Sequence, residues 1–449
     1  MTEAAVASPV AWDATDSDAR PTERLPLRQL FQISMYWLGI NSIMGGIGVV
    51  VQKQVPLFVA DEWYTVALIF QSILAMTMAS LIQPTVGAIS DYTISRWGRR
   101  KPYIAIGATL DVLFLIGIGM ANGYVTLVVF LILIQFSSNF AQGPFQGYIP
   151  DLVPPSQVGL ASALVGIMQT FGYVVGTLVI TFAVVNENYL PPLVVLGIVE
   201  FATALGTILW VREGRRARDR AGRSWRQIAK SAWATDILQE KSFLNLVVSR
   251  LMFLAGINVL LNFYIIFMVQ TLFLSTADQR LWINVTAGSV ALFTMISTLP
   301  SARISDRIGR KPVIYAACLI GSIGMVVAGL APSIQLFIVG AVLMGVASGT
   351  FLAVDWALMT DIIPKAASGR YMGISNIAVA AGGPLATVVA GAILFVVGGP
   401  DRVAEGPRAA FVAATALFAL AAFFLRRVDA RPRDVRLADE VATAPAMAA

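Results

Sequence analysis

A chain of 449 residues that is 57% apolar and only 13% charged carries about half the roughly 25% charge of a soluble domain. Its mean hydropathy of +0.74 therefore excludes an ordinary soluble globular fold. Histidine is absent and Cys318 is the single cysteine, which excludes a disulfide framework and a Cys/His metal site.

Residues 1–27 are polar, Ala-rich and mixed in charge, with Arg20 and Arg24, and Arg28 follows directly. They lack the apolar core and cleavage pattern of a secretory signal, so a cytosolic tail without fixed structure is expected there. Twelve apolar runs follow at 29–52, 63–89, 102–121, 123–149, 158–185, 191–211, 243–274, 281–300, 312–330, 334–361, 370–398 and 407–426. Each approaches or exceeds the roughly 20 residues needed to cross about 30 Å of hydrocarbon. The prediction is an all-α membrane protein of twelve transmembrane helices. A bundle over 28–211 is joined by a basic loop, 212–242, to a second bundle over 243–427, and a disordered tail occupies 428–449.

The basic residues fix a topology. With the N-terminus in the cytosol, Arg96, Arg99, Arg100, Lys101, Arg303, Arg307, Arg310, Lys311, Lys365 and Arg370 all fall on that side. The opposite side keeps Lys53, Arg280, Arg402 and Arg408. This bias places both termini in the cytosol, and the expected location is the cytoplasmic (inner) membrane. The middle loop, rich in arginine from Arg212 to Arg226, reads as a solvated linker. Anionic membrane lipid is its alternative partner.

The two halves repeat one another. Gly87-Ala-Ile-Ser-Asp91 and Arg96-Trp-Gly-Arg-Arg-Lys-Pro102 follow the second run. Ala302-Arg-Ile-Ser-Asp306 and Arg307-Ile-Gly-Arg-Lys-Pro312 follow the eighth. Pro102 and Pro312, Asp151 and Asp361, and Gly159 and Gly369 all share an offset of 210 residues. A tandem six-helix unit predicts two pseudo-symmetric bundles rocking about a midplane site, the arrangement of secondary transporters.

The duplicated loop signature resembles that of the major facilitator superfamily. The resemblance implies the major facilitator fold, with the first, fourth, seventh and tenth helices lining the cavity. It also implies a conformational latch of Asp91, Arg96, Arg99 and Arg100, matched by Asp306, Arg307 and Arg310. Asp91 would meet the start of the eleventh helix near Gly369, and Asp306 the start of the fifth near Gly159, when the cytosolic side is closed. The first loop, and Gln142-Gly-Pro144 followed by Asp151-Leu152, resemble the glycoside–cation and sucrose–proton symporters. Where those symporters carry an arginine and a proton-linked aspartate, this chain has Gln146 and Gln135. Amides do not titrate in the ordinary pH range, so that proton site is missing.

Ionisable groups within the apolar runs are costly and mark function. Asp355 on the tenth helix and Arg250 on the seventh lie at similar depth and are expected to approach each other. They form either a proton-linked coupling pair or a permanent structural ion pair. Asp111 on the third helix and Glu200 on the sixth are read as local interhelical contacts. Polar and aromatic residues suited to a sugar are Tyr36, Trp37 and Asn41 on the first helix and Gln135, Asn139 and Gln142 on the fourth. Asn258 and Asn262 on the seventh and Trp356 on the tenth complete the set. Gln135, Asn139 and Gln142 share one helical face, which serves either a cavity or helix packing.

The chain reads as a transporter moving a small polar solute by alternating access, a di- or oligosaccharide foremost. Transport is either facilitative or coupled to a proton or sodium ion. A drug or lipid exporter of the same fold and a non-transporting membrane assembly factor are the competing readings. No nucleotide-binding loop of the Gly-x-x-x-x-Gly-Lys-Ser/Thr type occurs, and nothing indicates catalysis, a cofactor or a nucleic-acid partner.

Overall fold

A computed structural model describes residues 22–93, 95–183, 188–213, 222–233, 237, 239–364, 367–398 and 402–431. Most of the two tails, Lys365 and the middle-loop arginines at 215, 216, 218 and 220 lie outside the described residues. Twelve helices are long and apolar enough to span a bilayer. The first span is two helices, Leu27–Ser34 and Tyr36–Phe58, and the fourth is Tyr124–Gln146 continued by Tyr148–Leu152. The others are Asp61–Asp91, Lys101–Gly119, Val158–Ala183, Leu190–Trp210, Lys241–Gln270, Thr276–Ile308, Arg310–Gly329, Ile334–Ile362, Ser368–Val397 and Glu405–Arg426.

The spans form two bundles of six. Packing between the bundles runs along the second and eleventh spans and along the fifth against the eighth and tenth. The face carrying the Arg-rich loops, hereafter the basic face, is where these bundles meet most closely. At Gly87 and Gly369 the backbones of the second and eleventh spans approach so nearly that a methyl group on either would overlap the other's carbonyl. Small residues are the means by which membrane helices reach such separations.

Each loop signature turns on a glycine in the left-handed region, Gly98 (φ 116°) and Gly309 (φ 93°). A Cβ is penalised there, which explains why glycine stands before the arginine pair in one copy and the Arg-Lys pair in the other. The next span then begins within three residues, with Pro102 and Pro312 in its first turn, where a missing N–H costs nothing.

The middle loop departs from a fully solvated linker. Trp225–Ser231 is a short helix whose Ser224 and Gln227 form a reciprocal capping box. Beyond it the Trp233 indole N–H donates to Thr85 Oγ1 at 3.0 Å, and the Arg370 guanidinium donates to the Ala232 carbonyl at 3.1 Å. Arg223 lies 5.0 Å over the Tyr92 ring and donates to its hydroxyl. The loop is thereby strapped across the second and eleventh spans.

Replacing Gly369 by valine should force those spans apart and cost about 1–3 kcal/mol, the usual range for overpacking. Gly288→Ala, at a site with nothing within 4 Å of the added atom, should stay within about 0.5 kcal/mol. Thermal unfolding in detergent checks both, and equal melting temperatures would contradict the close approach.

Candidate functional site

The basic face is organised around the Arg100 side chain, which is fully buried. Its five N–H donors all find acceptors. Nε donates to Asp151 Oδ2 at 2.7 Å, Nη1 to Ser90 Oγ at 3.2 Å and the Pro144 carbonyl at 2.9 Å, and Nη2 to Asp91 Oδ1 at 3.1 Å and Ser368 Oγ at 2.8 Å. Burial pushes the guanidinium toward its neutral form, but Asp151 and Asp91 outweigh this and raise its pKa, so it stays charged. Ser368 in turn donates to Asp151 Oδ1 at 2.9 Å, and Arg99 pairs with the same carboxylate at 2.5 Å. Asp91 also receives the backbone N–H groups of Gly369 (3.3 Å) and Arg370 (3.4 Å), at the positive end of the eleventh span. One buried cation therefore joins the second, third, fourth and eleventh spans, the last from the other bundle.

Glu213 closes the network from behind. It accepts the backbone N–H groups of Arg100 (3.1 Å) and Lys101 (3.0 Å) at the start of the third span. Burial raises its carboxyl above the ordinary glutamate value, against the lowering effect of those N–H groups.

The second copy is similar and more open. Arg310 reaches Ser305 (2.8 Å), Asp306 and Asp361 (3.3 Å). The Asp306 carboxylate lies against Gly159, where an added Cβ would strike it. Two residues of the expected latch stand outside these networks. Arg96 is exposed over the ring of Trp97, its centre 5.9 Å away. Arg307 is exposed one step beyond Asp306 on the helix, so it points about 100° away from the cluster.

Deeper in the membrane, an aromatic seam crosses between bundles. Trp37 meets Trp356 edge-on at 5.3 Å and Phe145 at 5.4 Å, while Tyr36 packs on Phe145 at 4.9 Å. Tyr36, Trp37 and Trp356 are all buried, so these three expected sugar contacts form part of a packed plug. Arg250 lies 5.6 Å over the Trp356 ring and its Nε is 3.2 Å from Asp355 Oδ2. That contact is an ion pair without an aligned hydrogen bond, since Nε satisfies no hydrogen-bond geometry. Arg250 Nη1 donates to Ser375 Oγ at 2.7 Å.

The amide stripe of the fourth span converges on a residue outside the expected set, Gln83 of the second span. Gln83 Nε2 donates to Asn139 Oδ1 and to Gln142 Oε1, both at 2.5 Å, and Gln146 Nε2 donates to Gln83 Oε1 at 3.3 Å. Asn139 donates to the Gln135 carbonyl at 2.6 Å. Gln83 and Asn139 are buried, whereas Gln135 and Gln142 are half-buried. The stripe thus packs helices with one part of its polar surface and leaves another accessible. Asn41 is half-buried and donates to the Trp37 carbonyl (2.9 Å); Asn258 likewise serves Leu254 (2.8 Å). Asn262 is exposed and donates to Thr387 Oγ1 of the eleventh span at 3.2 Å.

Asp111 and Glu200 meet between the third and sixth spans. Ser137 donates to Asp111 Oδ1, the Tyr36 hydroxyl donates to Glu200 Oε1 at 2.9 Å, and the two spans pack closely beside them, where a Cβ added to Gly197 would lie 3.5 Å from Val112 Cα.

Two six-span bundles from a duplicated sequence, tied at one face around a polar middle, define a solute transporter. Residues 30–281 and 252–448 both match the family profile of the Major Facilitator Superfamily, and the chain belongs to that family. Human proton-associated sugar transporter A is 34% identical over 135 residues, which is 26% of this chain and 18% of that protein. Rice (Oryza sativa subsp. japonica) sucrose transport protein SUT1 is 30% identical over 118 residues, 21% of this chain and 22% of that protein. The aligned stretch spans about a fifth of these relatives. Among solved structures, the human organic anion transporter MFSD10 superposes with a TM-score of 0.68 at 15% identity, covering 90% of this chain and 100% of the other. The proton:xylose symporter XylE gives 0.67 at 16%, covering 92% and 99%. At such identities these establish the fold.

Arg100→Ala should leave Asp91 buried without its cation and Asp151 with Arg99 alone, and cost about 3–5 kcal/mol, whereas Arg96→Ala and Arg307→Ala should each change stability by about 0.5 kcal/mol or less. Thermal melts of the three variants check this; equal effects would dissolve the distinction between hub and bystanders.

Proposed function

We propose that the protein carries a neutral saccharide across the cytoplasmic membrane by alternating access, with its basic face toward the cytosol. The observation that carries the reading is the uncharged amide cluster of Gln83, Asn139, Gln142 and Gln146 beside half-buried Gln135, on the same span whose Phe145 packs on Trp37 of the Trp37–Trp356 seam. Amides offer both donors and acceptors to hydroxyl groups, and indole faces suit the apolar side of a pyranose ring. The likeness to a proton-associated sugar transporter and a sucrose transport protein supports the same cargo.

In this reading the Arg100 and Arg310 networks hold the cytosolic side shut, and the aromatic seam is the inner gate. Orientation follows from the excess of Lys and Arg in the loops of that face. Arg250 and Asp355 are the coupling pair: their contact holds Trp356 against Trp37, and opening the gate separates them. A ligand shifts this equilibrium only through its different affinity for the two states, and the half-buried amides supply that difference.

Proteoliposomes loaded with an alkaline interior and presented with radiolabelled sucrose test the proposal. Accumulation above equilibrium is expected with the pH gradient and is lost when the gradient is collapsed. Failure with sucrose and maltose, together with uptake of a lipophilic dye, would favour the exporter reading instead. Asp355→Asn leaves Arg250 an acceptor but no counter-charge and should slow uptake about tenfold, equivalent to about 1.4 kcal/mol. Equal gradient-driven accumulation in variant and wild type would remove Asp355 from the coupling.

A further inference from the structure

Six described acidic side chains are buried: Asp91, Asp111, Asp151, Glu200, Asp355 and Asp361. Four have an arginine within 3.3 Å, Asp91 and Asp151 at Arg100, Asp355 at Arg250, and Asp361 at Arg310. Asp111 and Glu200 have none. They sit near the membrane centre, each about 15 Å from the basic end of its span at 1.5 Å per residue, and both are fully buried.

The groups facing the pair are few. The first span supplies the Tyr36 hydroxyl, which donates to Glu200 Oε1, and the fourth supplies Ser137, which donates to Asp111 Oδ1, with Ser138 nearby. Among the described residues, no ion pair involves either carboxyl. The remaining oxygens, Asp111 Oδ2 and Glu200 Oε2, receive no donor from any described residue. Two carboxylates cannot hydrogen-bond to each other unless one carries a proton, and two adjacent unpaired negative charges in so dry a place would be far more costly than one.

We propose that Asp111 and Glu200 together hold one exchangeable proton, and that Tyr36 reports its presence to the gate. The route is short. Tyr36 is the first residue after the break at Met35 in the first span, and its ring packs on Phe145 while its neighbour Trp37 touches Trp356. At Gly39 the first span lies against the backbone of Glu200, closely enough that a Cβ would not fit. Loss of the shared proton leaves a second buried charge that only movement of the first or sixth span, admitting water, can relieve. Such movement acts directly on the Trp37–Trp356 contact. The proton enters and leaves as a simple Brønsted exchange with water, so no further reactant is needed. The proton site rests on geometry apart from cargo, while its role in driving uptake rests on the transport reading above.

Infrared difference spectroscopy of the lipid-reconstituted protein, titrated between about pH 5 and about pH 8, reads the pair directly through the carbonyl stretch of a protonated carboxyl. The wild type should show one such band that grows on acidification and shifts in D₂O. It should be lost in both Asp111→Asn and Glu200→Gln, each of which supplies an amide donor in place of the proton, and retained in Asp355→Asn. Tyr36→Phe, which removes a hydroxyl and little else, should move the midpoint. A band unchanged in both amide variants, a wild type without the band, or a midpoint indifferent to Tyr36→Phe would overturn the proposal. A protein that shows the band and carries no sucrose would refute the saccharide reading alone. Accumulation of sucrose without the band would refute this inference alone.

Discussion

The structure depends most on one buried cation. From the start of the third span Arg100 holds acceptors from three others and from both bundles, and its desolvation is tolerable only because every N–H is matched and two carboxylates lie alongside. The arrangement is over-determined from behind by Glu213, which fixes the backbone of the same residue at the start of the third span. A network so completely satisfied has an all-or-none character. Pulling the eleventh span away removes Ser368 together with the N–H groups of Gly369 and Arg370, leaving Asp91 and one Arg100 N–H to find water.

Above the latch, the two bundles communicate through side chains that touch in series. Asp355 meets Arg250, Arg250 covers Trp356, Trp356 meets Trp37, and the adjoining Tyr36 reaches Glu200 and through it Asp111. One end of this series is a charge pair that is neutral in sum; the other is an acid pair with no cation. That asymmetry is notable in a duplicated molecule. The loop networks stay close to copies of one another, but the ionisable groups within the spans have diverged.

Much of the fold was legible because the bilayer imposes strong rules on composition. Twelve apolar runs became twelve spans, and the offset of 210 residues correctly paired Asp151 with Asp361 and Arg-Lys-Pro with its copy. The expected approaches of Asp91 to Gly369 and of Arg250 to Asp355 are present. What escaped depends on packing rather than pattern. The break at Met35 leaves no signature in an apolar run, because methionine is compatible with a continuous helix, whereas Pro144 and Pro150 on either side of Gly147 each remove a backbone donor and mark the second break. Spacing could not decide which of Arg96, Arg99 and Arg100 would be buried, since that turns on the positive φ at Gly98. Gln83 was readable in principle: a glutamine within an apolar run must find a polar partner, and the stripe on the fourth span was the obvious one. Asp111 and Glu200 were each read singly, and only the tertiary structure brings them together.

The central claim is that the two faces open reciprocally about the Arg100 latch. Distances between spin labels test it most directly, and the burial of the sole native cysteine, Cys318, favours selective labelling. One pair at Arg96→Cys and Arg307→Cys reports the basic face, and one at Asn122→Cys and Leu330→Cys reports the opposite face, all at exposed positions. In an otherwise unaltered chain the basic-face distance should be short and narrowly distributed; adding Arg100→Ala should lengthen it while the opposite-face distance shortens. Two distances that lengthen together, or a basic face indifferent to the loss of Arg100, would contradict the account.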